Sequence, residues 1–449
     1  MRRSISTISK FLISSGVMWL VLLCALPAKA QSVKTVPGGT AEERSARYFE
    51  SLRKSPPQML AFLLKLPKGA DLHSHLSGAV YAESYVDWAA QKNLCVSQTT
   101  MTLLAPSSAP CDQAAGQLPV SAALTNTVLY RKLIDAWSMR YWEYSGQNAH
   151  DQFFDSFGKF GTATWGQTGA MLAEVSSRAA RGRVSYLELM LTPDEGKSSD
   201  IGKQVGWDEN FDGPLAKQLE TTLAKLKAAG IDDAVGIGIE KLKAAEADKN
   251  TLLKCGTAQA NPGCSVEIRY IAQVSRGSAL GQVFAQMVAG FALANDPTSK
   301  VVALNLVQPE DSLLSMKNFN LQMEMLNFLR PLYPRAHISL HAGELAPGVV
   351  PPEGLTFHIR DSVLKGHAER IGHGVDIMHE DDPYGLLKEL ARRDVMIEIC
   401  LTSNDLILGV KKEQHPLTTY LQYGVPVALA TDDEGVSRSE ISREYLKAA

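Results

Sequence analysis

The stretch DLHSHLSGAV, residues 71–80, sets His73 and His75 one residue apart in a short apolar run. Side chains alternate along a strand, so both imidazoles face the same way and make half of a metal site. A polar patch on a half-buried sheet is the plainer alternative. Further along the chain, SLHAGE brings His341 and Glu344, IGHG brings His373, and ATDD brings Asp432 and Asp433. Three imidazoles and a carboxylate suit zinc, and a hydrolytic zinc site keeps one further position for water. Such a metal draws the pKa of that water toward neutrality, which supplies hydroxide without a strong base. Taken singly these residues say little, because a lone strand histidine is more often structural and paired aspartates are most often a turn or a cap. What they share is their place, each at the end of a strand-like run.

Eight such runs recur along the chain: 70–76, 184–191, 266–275, 301–307, 337–344, 370–375, 395–404 and 425–433. Helical patterns fall between many of them, as in 214–230, 280–294 and 384–394. Strands alternating with helices argue for a parallel sheet. Eight units predict a (β/α)₈ TIM barrel, α/β in class, whose functional groups gather at the C-terminal ends of the strands. An open doubly wound sheet is the structural alternative, but no G-x-G-x-x-G follows any run. The interval 77–183 is too long for one helix and a loop, which predicts an insert after the first strand. Its aromatic residues, Trp137, Tyr141, Trp142, Phe153, Phe154, Phe157 and Phe160, read mainly as helix packing, with a lid or pocket wall as the functional alternative.

Residues 1–30 carry Arg2, Arg3 and Lys10, then an apolar stretch, then Ala28-Lys29-Ala30, the order of a secretory signal cleaved before Gln31. An uncleaved membrane anchor is the alternative, though the apolar run is short for a span. Residues 31–58 read as a polar leader with one short helix. Loss of the signal's basic residues moves the formal net charge from −3 to about −7, which gives no electrostatic case for nucleic acid or an anionic membrane. The expectation is a periplasmic or secreted protein without stable membrane association after cleavage. In that oxidising setting Cys95 with Cys111, and Cys255 with Cys264, could each close a local loop. Cys400 reads as a buried free thiol.

H-x-H, S-L-H-A-G-E, G-H-G and T-D-D, in this order and spacing, resemble the adenosine deaminase family from about residue 60 to 440. HPLTTYLQYGVPVALATDDEG, CLTSN and YLELMLTP are also similar to family segments. The signal, the cysteine-bearing insert and HDQFFDSFGKF look most like the secreted growth-factor branch and its bacterial relatives. The resemblance implies a metal-dependent deaminase barrel over 59–449, with an insert at about 90–130. It implies one Zn²⁺ per chain and a small purine nucleoside as partner, adenosine and 2′-deoxyadenosine being hydrolysed to inosine and 2′-deoxyinosine with release of ammonia. By motif, His73, His75, His341 and Asp432 would hold the metal. Glu344 would share a proton with N1 of the purine, His373 would take a proton from the attacking water, and Asp433 would bond to N7. Gly343 and Gln308 would complete the substrate wall.

Two departures from the family pattern stand out. The family's D-L-x-G reads N-L-V-Q here, with Asn305 at the aspartate and Gln308 at the glycine, which puts the aminopurine preference in doubt. The sequence also stops soon after Asp433, so the C-terminal end of the barrel is expected to be shortened and its stability reduced. A deaminase of another aminopurine is one alternative, and a non-catalytic secreted nucleoside-binding protein is another.

Overall fold

A computed structural model describes residues 39–449. The signal reading of 1–30 and the start of the leader lie outside these residues. The leader's helix is Ala41–Leu52. It opens with a reciprocal cap in which the Thr40 hydroxyl accepts from the Glu43 amide and the Glu43 carboxylate accepts from the Thr40 amide. A second helix, Pro56–Leu63, crosses the expected end of the leader at residue 58. Pro56 and Pro57 begin that helix because its first turn needs no intrahelical N–H bonds.

Eight parallel strands form one sheet: β1 Gly69–His75, β2 Val184–Leu191, β3 Glu267–Ser275, β4 Val301–Val307, β5 His337–Ala342, β6 Arg370–His373, β7 Met396–Ile399 and β8 Val427–Leu429. Each pairs with the next, and β8 returns to β1 just beyond its own end. There the His75 amide donates to the Asp432 carbonyl at 2.8 Å and the Asp432 amide to the His73 carbonyl at 2.9 Å. The sheet thus closes as the expected (β/α)₈ barrel, and its closing seam lies at residues of the candidate site. Strands covered on both faces read as nearly continuous apolar runs, which is why β2 and β4 coincide with their sequence runs.

Other runs overshoot. In 395–404 the strand stops at Ile399, and Leu401–Leu408 is a helix rather than more strand. In 425–433 only Val427–Leu429 is strand. The residues past these ends leave the ladder to serve the barrel mouth: Asp432 has φ +59°, and His373, the last residue of β6, has φ +71°.

The insert after β1 holds a small antiparallel pair, Cys95–Ser97 with Gln117–Pro119. The Cys95–Cys111 disulfide closes the loop between them, and Cys255–Cys264 closes a second loop before β3. Cys400 is buried and unbonded. Helix Ala149–Thr164 carries the aromatic residues, with Phe153 and Phe160 in the core beside Trp137, while Tyr141 stands 65% exposed. Among the described residues no helix is long and apolar enough to cross a membrane.

Candidate active site

His73 and His75 end β1, His341 lies near the end of β5, and Asp432 follows β8. The barrel brings them to one focus. The Nε2 atoms of His73 and His341 are 3.2 Å apart, and those of His75 and His341 are 3.3 Å apart. Asp432 Oδ1 lies 3.5 Å from Nε2 of both His73 and His75. One donor atom from each of the four residues falls within 4.8 Å of every other.

The opposite ring nitrogens explain why these Nε2 atoms point inward. His73 Nδ1 is 2.7 Å from the Glu398 carboxylate, and His341 Nδ1 is 2.7 Å from Asn305 Oδ1. The Gln273 amide nitrogen, Nε2, stands 2.7 Å from His75 Nδ1; turning that amide end for end would put its oxygen there, the end that a protonated Nδ1 requires. With Nδ1–H donated outward, the Nε2 lone pairs of His73 and His341 are left for a metal, and the turned Gln273 amide would do the same for His75. Burial keeps the rings of His75 and His341 neutral, the first at about 4 and the second well below its usual value. His73 is the exception. Burial opposes its charge, but the Asp432 and Glu398 carboxylates raise it to about 10. That ring sits where the surroundings demand a cation, and a metal supplies one by displacing its proton. The donor set therefore fits a zinc-type ion.

Glu398 itself is fully buried and yet held below the usual carboxylate range. Desolvation works against this, but Arg370, with Nε at 2.7 Å, and His73 outweigh it. Asp432 is also kept ionised against its burial by the imidazoles around it.

The other carboxyls behave oppositely. Burial, the Asp432 charge and Glu310 push Glu344 well above its usual range. Burial and Asp432 push Asp433 up as well. Both face a cavity of about 340 Å³ whose wall includes His75, Gln308, Phe153, Phe154 and Phe157, and no Lys or Arg lines it. Asp433 Oδ1 and His373 Nε2 are buried without a hydrogen-bond partner, and His373 Nε2 stands 3.6 Å from Glu344 Oε1. Gly78 makes room for Asp433, because a Cβ on Gly78 would sit 1.5 Å from Asp433 Oδ1. Gly343 has φ +72° and turns the chain from His341 to Glu344. That turn is clamped from two sides. Arg276 Nη2 donates to the His341 carbonyl at 2.9 Å, and Glu310 accepts from the Glu344 amide at 2.8 Å.

Every residue singled out from the sequence thus lies at the barrel mouth, with Gln308 in the wall rather than at the metal end. Gln308 has φ +86°, and its side-chain oxygen accepts from the Gly277 amide at 2.9 Å. The insert's aromatic residues serve both readings: Phe160 on this helix and Trp137 ahead of it are core, while Phe153, Phe154 and Phe157 wall the cavity. Sequence reasoning missed Glu398, Gln273, Arg276 and Glu310, and gave Asn305 no role. The available signal was a polar residue inside an otherwise apolar strand, as in MIEI, IAQVS and ALNLV.

Residues 240–449 match the family model described as adenosine deaminase. That span contains His341, Glu344, His373, Asp432 and Asp433, but neither His73 nor His75. Adenosine deaminase of Escherichia coli strain SE11 is 40% identical over 114 residues, 25% of this chain and 31% of that protein. The same protein from E. coli K12 strain MC4100/BW2952 gives the same figures. The matched region therefore spans about a third of the length of these curated relatives. Among solved structures, the Arabidopsis N6-mAMP deaminase MAPDA has a TM-score of 0.51 at 17% identity, over 86% of this chain and 88% of that one. Arabidopsis ADAL complexed with IMP has a TM-score of 0.51 at 17% identity, over 86% of each chain. At that identity the likeness is one of fold. The motifs, their convergence at the barrel mouth and the family match point the same way: over residues 240–449 this chain is similar to the adenosine deaminase family.

Proposed function

We propose that the protein is a zinc-dependent hydrolytic deaminase of unphosphorylated aminopurine nucleosides, with adenosine and 2′-deoxyadenosine as first substrates. The observation that carries this reading is a pair of buried carboxyls, Glu344 and Asp433, pushed toward their protonated forms in one cavity without cationic lining. A neutral carboxyl donates a hydrogen bond, and a purine offers ring nitrogens that accept one. Zinc, when bound, would supply a water activated as a nucleophile near neutral pH. His73, His75, His341 and Asp432 would hold it.

Attack at C6 breaks the ring's aromaticity and moves charge onto N1. A protonated Glu344 at N1 stabilises that developing charge more than the ground state. Asp433 would fix the ring through N7, and the three phenylalanines would exclude water from the apolar side. Gln308 stands in the substrate wall, where the family pattern has glycine. The deaminase from Arabidopsis named above acts on N6-mAMP, a nucleotide. Binding a phosphate calls for Arg, Lys or clustered N–H donors, and no cationic side chain lines this cavity. The two disulfides form in oxidising compartments and support a periplasmic or secreted setting, where free nucleosides are the available form.

The test is ammonia release and the purine absorbance shift with adenosine, 2′-deoxyadenosine, AMP and N6-methyl-AMP, using the zinc-loaded chain. The nucleosides should exceed the monophosphates in kcat/KM by at least about tenfold. Glu344→Gln should lose about 10²–10⁴-fold in kcat, and His75→Ala should lose both zinc and turnover. Faster reaction with a monophosphate would replace the nucleoside reading with a nucleotide one. Tight nucleoside binding without ammonia would make the protein a binding module.

A further inference from the structure

His373 is fully buried and its ring touches those of His73 and His341, with centroids 5.0 Å away in each case. Which of its two nitrogens carries the proton decides what it can do to a reacting oxygen. A chain of three contacts behind it settles that. The Leu417 backbone amide lies 3.1 Å from His415 Nδ1. A backbone amide only donates, so His415 Nδ1 accepts. A neutral His415 then carries its proton on Nε2, which lies 3.1 Å from Asn404 Oδ1 and donates to it. The other end of that amide, Asn404 Nδ2, lies 3.0 Å from His373 Nδ1. An amide NH₂ only donates, so His373 Nδ1 accepts and the proton of His373 sits on Nε2. Reversing the Asn404 amide would leave His415 with two accepting nitrogens and no proton, which a neutral imidazole does not allow. His415 and Asn404 are both buried, so water is not at hand to substitute for either partner.

We propose that the Leu417–His415–Asn404 relay fixes His373 as the Nε2–H tautomer, making it a hydrogen-bond donor to the attacking oxygen rather than a base that deprotonates it. Asn404 and His415 are positioning residues acting through His373. The role of His373 rests on the deaminase reading above, whereas the tautomer does not. This revises the role that family resemblance implies for His373 and keeps its place. His373 Nε2 is buried without a partner and stands 3.6 Å from Glu344 Oε1, on a carboxyl that lines the cavity, which is where a donor to the attacking oxygen belongs. Asn404 comes from the segment that leaves β7 as a helix instead of continuing as strand, and this turn is what points it at His373.

The experiment is long-range ¹H–¹⁵N NMR of the zinc-loaded chain labelled in histidine, with the His373 signals assigned by comparison with His373→Asn. The expected spectrum has a protonated Nε2 and an unprotonated Nδ1 at neutral pH. Asn404→Asp puts an acceptor against Nδ1; it should move the proton there and lower kcat about 10- to 100-fold with little change in melting temperature. His415→Gln retains a donor toward Asn404 and should keep the parent tautomer, whereas His415→Leu removes it and should mix the two forms. A proton on Nδ1 in the parent, or an Asn404→Asp spectrum like the parent's, would overturn the proposal. If the parent shows Nε2–H yet turns over no aminopurine, the deaminase reading fails and the tautomer assignment stands.

Discussion

The two sides of the barrel mouth are finished differently. At the metal end each imidazole has an outward partner: Glu398 for His73, Asn305 for His341 and Gln273 for His75. On the side that meets substrate, Asp433 Oδ1 and His373 Nε2 are buried with no partner, and Phe153, Phe154 and Phe157 supply the aromatic part of the cavity wall. Unpaired buried polar groups cost about 1–3 kcal/mol each. The first side is organised by the protein alone, while the second leaves its polar atoms to be completed by what binds. A metal site depends on fixed donor geometry, whereas a substrate site gains from donors satisfied only when the ligand arrives.

The comparison is tested hardest at Glu398, which ties His73 to Arg370. Glu398→Gln should weaken zinc binding about 10- to 100-fold, read by chelator competition, and leave the substrate wall intact. Equal zinc affinity in the variant would mean that His73 does not need its outward partner.

The next prediction is one of pH, at a buried carboxylate away from both sides. Burial raises Glu380 from 4.5 to about 7, although the amides of Ile359 and Arg360 and the Arg360 guanidinium pull the other way. Between those two values the folded chain keeps a proton that the unfolded chain has lost, so stability falls as pH rises through this window. The loss is on the order of 1–3 kcal/mol. Glu380→Gln should flatten this part of the melting-temperature profile between about pH 4.5 and 7; a profile parallel to the parent's would show that Glu380 titrates normally.

The smallest effect is expected at Gln308. Its left-handed backbone is strained for a residue with a Cβ, but its side chain accepts from the Gly277 amide, so the relief and the loss in Gln308→Gly nearly offset and stability should change by less than about 1 kcal/mol. The same change shortens the substrate wall and should lower KM for purines made bulkier on the edge away from C6 more than for adenosine. An unchanged ratio of the two would remove Gln308 from the specificity surface.

Much of the fold was legible because buried parallel strands are written as apolar runs. β2 and β4 have the ends their sequences suggest, and the helices near 214–230, 280–294 and 384–394 appear as Leu215–Ala228, Leu280–Asn295 and Pro383–Arg393. The misreadings fall at strand ends that carry chemistry. Thr402, Ser403 and Asn404 extend a β-like apolar pattern but form helix, and Asp432 and His373 take left-handed backbone conformations. No hydrophobic period reports a backbone bent to aim a side chain.

By itself the sequence determined the inventory: which imidazoles and carboxyls are present, that they close strand after strand, and that strands alternating with helices bring their ends to one face. Only the tertiary structure decided the state of each group. His73 meets Glu398 across 325 residues, His341 meets Asn305 across 36, and His373 meets Asn404 across 31. A tautomer or a shifted pKa depends on distance and burial in space, and neither is a property of local sequence.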